Sequence, residues 1–333
     1  MPEPRLLTGP EAIAEGVRSL RTGHLVAFPT ETVYGLGADA RSPDAVAAVF
    51  RLKGRPSNNP LIVHVSGAEM ARTVTASWPT IAQKLADAFW PGPLTLVLPK
   101  SDAIPPSVTA SGRTVAVRCP DHPVALALIE AFGGPIVGPS ANPSGMLSPT
   151  TAEHVIAGFP HDDLPVIDGG ACRAGIESTV IDLTATPPRI LRPGIIGASA
   201  IARVLGGPVD RLQPHGDPGS IPAAPGLLGP HYQPSTPVRI VESPEGALPT
   251  DALVVWSTDH HPAGGPVFRI PPNPEGYAAA LYALLHTADR TGSARILVEI
   301  PPQPVDTDGQ AVRDAILERL ARAAAAPTAQ SGQ

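Results

Sequence analysis

Two cations separated by a single residue, Lys53 and Arg55, are well suited in this sequence to bind a polyanion. They lie in the segment KGRPSNNP, after a predicted helix and before a predicted strand. Lysine offers a point charge and arginine a planar fork, and both groups suit phosphate oxygens. A solvated basic turn is the alternative interpretation. The amides of Asn58 and Asn59 favour a phosphate-binding loop instead, because they restrict the segment and add donors.

A second set of polar side chains lies on or beside predicted strands. Thr32 belongs to the loop PTETVYGLG, which follows an apolar run, and loops at strand ends bind small polar ligands in α/β proteins. His64 lies in the strand LIVHV, just beyond the basic loop. Thr114 and Arg118 flank VAV and share a face, because side chains alternate along a strand. Arg118, at the strand end, suits bidentate binding of a carboxylate.

Small hydrogen-bonding residues are concentrated in the segments GPSANPSGMLS, ESTVI and LRPG. Side chains of this size after a strand allow a nucleotide to approach the backbone closely. Each segment alone is also compatible with an ordinary turn, so only their combination points to a site. The candidate residues are Gly138, Ser140, Asn142, Ser148, Ser178 and Arg192.

Hydrophobic periodicity predicts the elements that must position these residues. The predicted helices span 9–22, 42–52, 79–89, 122–132, 152–157 and 199–205. The predicted strands span 25–28, 61–65, 94–98, 115–117, 135–137, 166–167, 178–183 and 189–191. Strands and helices interleave through short connections rich in proline and glycine. This pattern predicts an α/β fold with a mixed twisted sheet and flanking helices, in place of a purely doubly wound sheet.

A change of composition predicts a second, smaller domain. Residues 207–237 are crowded with glycine, proline and serine, which is typical of a linker. Beyond them the pattern predicts strands at 253–256, 267–270 and 295–300 and helices at 274–289 and 309–325. The predicted organisation is a catalytic domain at 1–206, the linker, a small α/β domain at 238–326, and a disordered tail at 327–333.

Composition and missing motifs exclude several classes of protein. The net charge of −6 argues against a general basic surface for nucleic acid. There is no P-loop, no kinase motif set and no GxGxxG after a strand. No apolar run is long enough to span a membrane, and the N-terminus lacks the pattern of a signal peptide. Cys119 and Cys172 form no zinc set, and the expected compartment is the reducing cytoplasm.

Taken together and in order, the motifs resemble the YrdC/Sua5 family, the threonylcarbamoyl-AMP synthases. The resemblance covers residues 9–205 and includes PTETVYGLG, KGRPSNNPLIVHV, PGPLTLVL, VAVRCPDHP, VGPSANPSG, ESTVIDL and ILRPG. The family pattern KxR followed by SxN is present as Lys53, Arg55, Ser140 and Asn142. The small C-terminal domain and the linker sequence HYQP at 231–234 resemble the longer, Sua5-type members.

The resemblance implies a YrdC-like catalytic domain, a Rossmann-like C-terminal domain and a role for each motif residue. Catalytic roles would fall to Lys53, Arg55, Ser140 and Asn142. The L-threonine site would consist of Thr32, His64, Arg118, Gly138 and Ser178, with Arg118 binding the carboxylate. The ATP site would consist of Lys53, Arg55, Asn59, Thr114, Ser140, Ser148, Arg192 and Tyr232. The linker would fold over this site. In this chain it lacks the basic residues that often precede the HY pair, so the sequence leaves open whether the linker contacts phosphates.

The implied reaction joins L-threonine and bicarbonate, or CO2, to the AMP part of ATP and releases pyrophosphate. Mg²⁺ would be carried by the phosphates without a protein metal site, and no organic cofactor is implied. A separate threonylcarbamoyl transferase would consume the product to modify tRNAs that read ANN codons. No strong nucleic-acid binding and no membrane association are expected of this chain.

Three alternatives stay open from the sequence alone. The first is a carbamoyl-adenylate-forming relative that uses carbamoyl phosphate, although the additional zinc-finger or transferase domains of such proteins are missing here. The second is a nucleic-acid-binding module, against which the acidic composition and the aromatic content of 4% both count. The third is a nucleotide-binding regulator without catalysis. Pyrophosphate release that depends on L-threonine would distinguish the synthase from all three.

Overall fold

A mixed sheet of eleven strands dominates the computed structural model, which describes residues 3–211, 232–257 and 265–325. Its strands are β1 (Arg5–Leu7), β2 (Val26–Phe28), β3 (Gly35–Asp39), β4 (Ile62–His64), β5 (Leu94–Pro99), β6 (Thr114–Arg118), β7 (Ile136–Val137), β8 (Pro165–Ile167), β9 (Thr179–Asp182), β10 (Arg189–Arg192) and β11 (Asp210–Arg211). Their spatial order is β1-β8-β2-β3-β7-β4-β6-β5-β9-β10-β11. The sheet contains parallel pairs such as β4 with β6 and antiparallel pairs such as β2 with β3, which confirms the predicted mixed sheet.

Seven helices flank this sheet in the described part of the chain. They are α1 (Ala12–Arg21), α2 (Pro43–Lys53), α3 (Ala68–Val74), α4 (Thr80–Phe89), α5 (Pro123–Phe132), α6 (Ala152–Gly158) and α7 (Ala198–Leu205). Buried aliphatic side chains of α1 and α5 pack with those of β2 and β7, while α4 and α7 cover the β5–β9 part of the sheet. The core is therefore built from aliphatic side chains on strands and helices alike.

The ends of α2 show how local sequence positions the basic motif. At its start, Ser42 accepts a hydrogen bond from the amide of Ala45, and Pro43 occupies the first turn, where its missing N–H costs nothing. At its end, Gly54 adopts a left-handed conformation with φ of 59°, which glycine adopts without strain. The helix therefore ends at Lys53, and the chain turns before Arg55.

A second, four-stranded sheet forms the C-terminal domain, as predicted. Its elements are β12 (Val238–Val241), β13 (Asp251–Val255), β14 (Val267–Arg269), α8 (Pro274–Asp289), β15 (Arg295–Glu299) and α9 (Thr307–Ala323). The strands lie in the order β12-β15-β13-β14 and every pair is parallel. Asn273 accepts a hydrogen bond from the amide of Gly276 and caps α8, whose buried side chains pack against the sheet. This arrangement is a small α/β unit.

The two sheets are joined by a shared apolar cluster and by ion pairs. Ile176 of the larger unit packs in one buried cluster with side chains of α8 and α9. Gly175 lies so close to α8 that a Cβ there would come within 2.3 Å of the carbonyl oxygen of Ala278. Near the surface, Arg203 pairs with Asp308 at 3.0 Å. The C-terminal domain is therefore packed against the larger unit close to the segment that contains Glu177.

Some predictions of local structure were wrong, and others lie outside the described residues. The predicted loop 29–37 contains the start of β3, whose glycines allow Phe28 to pack closely: a Cβ on Gly35 would come within 2.8 Å of its ring. The strands β1, β11 and β12 and the helix α3 were not predicted. Most of the predicted linker, including His231, and the predicted disordered tail lie outside the described residues. None of the described helices is long and apolar enough to span a membrane.

Candidate active site

A cavity of about 50 Å³ lies over the face of β4 that carries Ile62 and His64. It is bounded by residues from the ends of several elements, so it is assembled by the sheet as a whole. The predicted residues that line it are Thr32, Arg55, His64, Arg118, Gly138, Ser140, Arg192 and Tyr232. The fold therefore brings together residues from five of the quoted motifs and the linker.

Lys53 ties the end of α2 to the turn that carries Ser140 and Asn142. Its ammonium donates hydrogen bonds to the carbonyl oxygens of Ser140, at 2.6 Å, and Asn142, at 2.5 Å. Burial, together with the positive charge of Arg55, lowers the pKa of Lys53 well below its usual value. Lys53 does not line the cavity, and in this arrangement it positions the turn.

Arg55 lines the cavity and is held from behind by its own loop. Its guanidinium donates to the side-chain oxygen of Asn59 at 2.7 Å and to the carbonyl of Pro60 at 2.9 Å. Burial lowers its pKa to about 10, so the group is charged at neutral pH. Asn59 is therefore placed behind Arg55 and orients it.

Arg118 and its neighbours form the opposite corner of the cavity. Arg118 donates to the hydroxyl of Thr32 at 2.9 Å, and its Nη2 lies 2.7 Å from a carboxylate oxygen of Glu31. The parallel register of β4 and β6 places His64 opposite Arg118. Both members of the Glu31–Arg118 pair are almost fully buried, with exposures of 2% and 4%. This corner is a preformed, desolvated arginine site.

Several polar atoms in this corner lack a hydrogen-bond partner among the described residues. They are both carboxylate oxygens of Glu31, Nη2 of Arg118 and Nδ1 of His64. The contact between Glu31 and Arg118 is therefore an ion pair without hydrogen-bond geometry. Burial and the nearby Arg118 lower the pKa of His64 to about 3, so its imidazole is neutral at pH 7. Buried polar atoms are normally satisfied, so this corner has the capacity to bind a polar ligand.

Gly138 is required by the packing of this corner. A Cβ at Gly138 would lie 2.7 Å from Nδ1 of His64 and 3.0 Å from the ring of Phe28, closer than side chains approach each other. The rings of Phe28 and His64 are themselves packed edge to face, with centroids 5.7 Å apart. Because Gly138 has no side chain, the imidazole of His64 can lie beside the cavity.

Arg192 forms a third cationic wall, with Ser178 behind it. Arg192 donates to the carbonyl of Ser178 at 3.1 Å and to its hydroxyl at 3.2 Å. Ser178 is fully buried and its hydroxyl also bonds to Thr95 at 2.8 Å. Burial lowers the pKa of Arg192. Ser178 thus fixes the direction of the Arg192 side chain and does not line the cavity itself.

Glu177 is a carboxylate that lines the cavity, and no role was predicted for it from sequence. Ser148 donates to one of its oxygens at 2.6 Å, and Arg319 of α9 donates to the other at 3.0 Å. Burial opposes its ionisation, but Arg319, Arg192 and the hydrogen bond from Ser148 outweigh burial and lower its pKa to about 2. Glu177 belongs to the quoted motif ESTVIDL, whereas nothing in the sequence of α9 marks Arg319.

Tyr232, near the end of the linker, is almost fully buried and lines the cavity. The amide of Gln233 donates to the carbonyl of Gly145 at 2.9 Å, which attaches this segment to the loop that follows Asn142. The ring of Tyr232 lies 5.6 Å from that of Tyr282, and burial raises its pKa to about 12. The last part of the linker therefore forms one wall of the cavity.

Six predicted residues lie outside the cavity lining. Lys53, Asn59, Ser148 and Ser178 each contact a lining residue, as described above. Asn142 donates to the carbonyl of Met146 at 2.8 Å and shapes the turn beside Ser140. Thr114 begins β6, at the opposite end from Arg118 and, at 3.3 Å per residue, about 13 Å away. The described residues contain no group of three or more side chains that could bind a metal ion.

Comparison with known proteins gives two family matches that together span most of the chain. The model of the Sua5/YciO/YrdC family, described as telomere recombination, matches residues 18–194. The model described as the C-terminal domain of threonylcarbamoyl-AMP synthase matches residues 196–325. The second match contains the whole four-stranded sheet and also α7 and β11 of the larger unit.

Individual relatives match over nearly the full length. The chain is 44% identical over 294 residues to threonylcarbamoyl-AMP synthase of Pyrococcus abyssi, covering 84% of this chain and 86% of that protein. It is 41% identical over 338 residues to threonylcarbamoyl-AMP synthase of Bacillus subtilis, covering 96% and 94% of the two chains. The crystal structure of P. abyssi Sua5 complexed with L-threonine is similar with a TM-score of 0.85 at 40% identity, covering 97% of each chain.

Proposed function

The chain belongs to the Sua5/YciO/YrdC family, and from this membership and the geometry of its cavity we propose that it is a threonylcarbamoyl-AMP synthase. Its substrates are L-threonine, bicarbonate and ATP, and its products are threonylcarbamoyl-AMP and pyrophosphate. Relatives with this name are 41–44% identical over most of the chain, and a related structure contains L-threonine.

The observation that carries the proposal is the presence of two different anion subsites in one cavity. Arg118, with Thr32 and His64 beside it, suits the carboxylate and polar groups of a small amino acid. Arg55 and Arg192 line the same cavity and suit phosphate oxygens. A reaction that joins an amino acid to a nucleotide needs these two subsites side by side.

We assign the amino-acid subsite to residues around Arg118. Arg118 binds the carboxylate of L-threonine, and the neutral imidazole of His64 accepts a hydrogen bond through Nδ1 from the amino or hydroxyl group. Gly138 leaves the space that this contact requires, and Thr32 orients Arg118. Ser178 acts through Arg192, which it holds at the boundary between the subsites.

We assign the nucleotide subsite to the cations opposite. Arg55 and Arg192 bind phosphate oxygens, Ser140 lines the same wall, and Tyr232 covers it. Asn59 and Asn142 support this wall from behind. Contacts of Lys53, Thr114 and Ser148 with the nucleotide remain predictions. The cavity of about 50 Å³ is smaller than ATP requires, so we expect the site to widen when the nucleotide binds.

The reaction needs positioning and charge neutralisation more than a protein nucleophile. The threonine amine attacks the carbon of bicarbonate, an N–C bond forms, and water leaves. An oxygen of the resulting N-carboxylate then attacks the α-phosphorus of ATP, and pyrophosphate leaves with the electron pair of the broken P–O bond. Arg55 and Arg192 bind the departing charge, while the buried site excludes water from the labile mixed anhydride.

Mg²⁺ would bind as part of the nucleotide substrate. In ATP-using enzymes it neutralises phosphate charge, and it binds mainly through phosphates and few protein ligands. Transfer of the product to tRNA by a separate threonylcarbamoyl transferase and a cytoplasmic location remain predictions. The net charge of −6 supports a chain that does not itself bind tRNA strongly.

The proposed function is tested by measuring pyrophosphate release from ATP with the full chain. We expect release only when L-threonine and bicarbonate are both present. Omission of either substrate is the control. Release without L-threonine, or release driven by carbamoyl phosphate in place of bicarbonate, would assign the cavity to a different reaction.

A further inference from the structure

Arg319, on α9 of the C-terminal domain, reaches the wall of the cavity although it lies far from every motif in sequence. Its side chain is fully buried, and it also pairs with the neighbouring Glu318, which in turn pairs with Arg322. It donates to Glu177 at 3.0 Å and to the carbonyl of Pro193 at 3.0 Å, and its guanidinium lies 5.6 Å from the ring centre of Tyr232. One side chain therefore contacts three separate parts of the cavity wall.

The need for such a residue follows from the charges of the cavity. Glu177 lines a cavity whose other charged lining side chains are the cations Arg55, Arg118 and Arg192. A carboxylate in that position repels phosphate and competes for the same arginines, unless its own charge is compensated. Its main compensation comes from outside the cavity, because Arg319 pairs with it from the side of the C-terminal domain, while Arg192 contributes from the cavity itself.

The hydrogen bonds of Glu177 also connect it to the C-terminal domain. Ser148 donates to its Oε1 at 2.6 Å, while Tyr282 of α8 donates to its Oε2 at 3.2 Å and Arg319 shares that oxygen. Two of these three donors belong to the C-terminal domain. The carboxylate therefore accepts from Ser148 on one oxygen and from α8 and α9 on the other.

We propose that Arg319 is a positioning residue for the nucleotide, through which the C-terminal domain completes the active site. It offsets the negative charge of Glu177, so that this carboxylate competes less with phosphate for Arg192. It also contacts Pro193 and Tyr232 and so holds their segments in place. This inference rests on the proposed function, because it assumes that the cavity binds ATP. It gives the C-terminal domain a direct role in the reaction of the larger unit.

Removal of Arg319 should leave Glu177 buried without its main cation. In Arg319→Met the pKa of Glu177 should rise, because burial then acts with less opposition. Above that raised pKa the anionic carboxylate weakens phosphate binding, and below it the protonated group does not. Nucleotide affinity in the variant should therefore improve as the pH falls, relative to the wild type.

The test measures binding of α,β-methylene-ATP to the full chain by calorimetry, at about pH 8 and about pH 6. We expect Arg319→Met to raise Kd about tenfold at the higher pH, with any difference at the lower pH in the direction of a smaller loss. Glu177→Gln combined with Arg319→Met should bring Kd back towards the wild-type value and remove the difference between the two pH values. Arg203→Met is the matched control, since it breaks an exposed ion pair between the same two units, and its Kd should equal that of the wild type.

Two results would overturn the inference while leaving the proposed function intact. One is an Arg319→Met variant that binds the analogue like the wild type. The other is a loss of affinity that is not relieved by Glu177→Gln, which indicates a purely structural contact between the units. A wild-type chain that does not bind the analogue would instead contradict the nucleotide site itself, and the inference with it.

A milder variant serves if Arg319→Met does not fold. Tyr282→Phe removes one hydrogen bond to Glu177 and keeps the buried ring. We expect a Kd raised about threefold with the same dependence on pH, the size of effect that one lost hydrogen bond produces. An unchanged Kd in this variant would count against the role of the C-terminal domain.

Discussion

The ammonium group of Lys53 bonds to the backbone of Ser140 and Asn142, so the two halves of the KxR and SxN pattern form one structural unit. The distances to the two carbonyl oxygens are 2.6 and 2.5 Å. The turn that carries Ser140 into the cavity is thereby fixed to the end of α2. The lysine of the pattern holds the wall, while the arginine, Arg55, faces the cavity.

Lys53→Met should therefore reduce stability as well as activity. The substitution leaves two buried carbonyls without their donor, and we expect a loss of about 2–4 kcal/mol in the free energy of unfolding, measured without nucleotide. Urea unfolding of the free protein measures it. A lysine that acted only on phosphate would leave this value unchanged, and that result would contradict the positioning role.

Arg118→Lys should weaken the binding of L-threonine and leave that of ATP nearly unchanged. Lysine keeps the charge but loses the planar fork that bonds to a carboxylate with two parallel hydrogen bonds. We expect the KM for L-threonine to rise about tenfold or more, measured by pyrophosphate release. Arg173→Lys is the control, since Arg173 forms an exposed ion pair with Asp121. A change confined to the KM for ATP would contradict the assignment of the two subsites.

Gly138→Ala should disturb the amino-acid subsite through His64. The added Cβ would lie 2.7 Å from Nδ1 of His64, so the imidazole must shift. We expect the KM for L-threonine to rise about tenfold, with a loss of stability of about 1–3 kcal/mol from overpacking. Gly67→Ala is the matched control, because no atom lies within 4 Å of a Cβ at that position. An alanine variant with wild-type kinetics would show that this corner is not the threonine site.

Acid should destabilise the contact between the two units through His154. Its ring stacks on that of His286, with centroids 3.9 Å apart, and burial, followed by the charges of His286 and Arg290, lowers its pKa to about 3. Between about pH 6.5 and that value the unfolded chain binds more protons, so stability is full above about pH 6.5 and falls below it. One such group contributes up to about 1.4 kcal/mol per pH unit.

His154→Phe tests this contribution, because phenylalanine keeps a ring at the stack but does not titrate. The free energy of unfolding is measured by urea at a series of pH values. We expect the slope below about pH 6.5 to be shallower in the variant than in the wild type, and the two slopes to coincide above it. Parallel slopes over the whole acid range would contradict the buried, neutral state of His154.

The course of the chain around the basic motif could be predicted because its signals are local. Ser42, Pro43 and Gly54 bound α2, and apolar runs mark the strands on either side. Alternation along β6 correctly places Thr114 and Arg118 on one strand. This alternation does not give the distance between the two side chains, and the two residues lie at opposite ends of the strand.

The partners of the site residues could not be predicted, because they depend on burial and on contacts far apart in sequence. A lysine close to an arginine indicates anion binding. Only the folded chain shows that Lys53 is buried and bonds to the carbonyl oxygens of Ser140 and Asn142, which lie 87 and 89 positions away in sequence. Glu177 and Arg319 are 142 positions apart, and no pattern in α9 distinguishes Arg319 from a solvated helix residue. Similarly, the close approach of Gly138 to His64 depends on the register of β4 and β7.

The most direct test of the proposed function is to follow the carbon of bicarbonate into the product. The full chain is incubated with carbon-13-labelled bicarbonate, L-threonine and Mg·ATP, and the nucleotides are analysed by mass spectrometry. We predict an adenylate that contains threonine and carries the label, formed in equal amount with pyrophosphate. Pyrophosphate formed without a labelled adenylate that contains threonine would contradict the account.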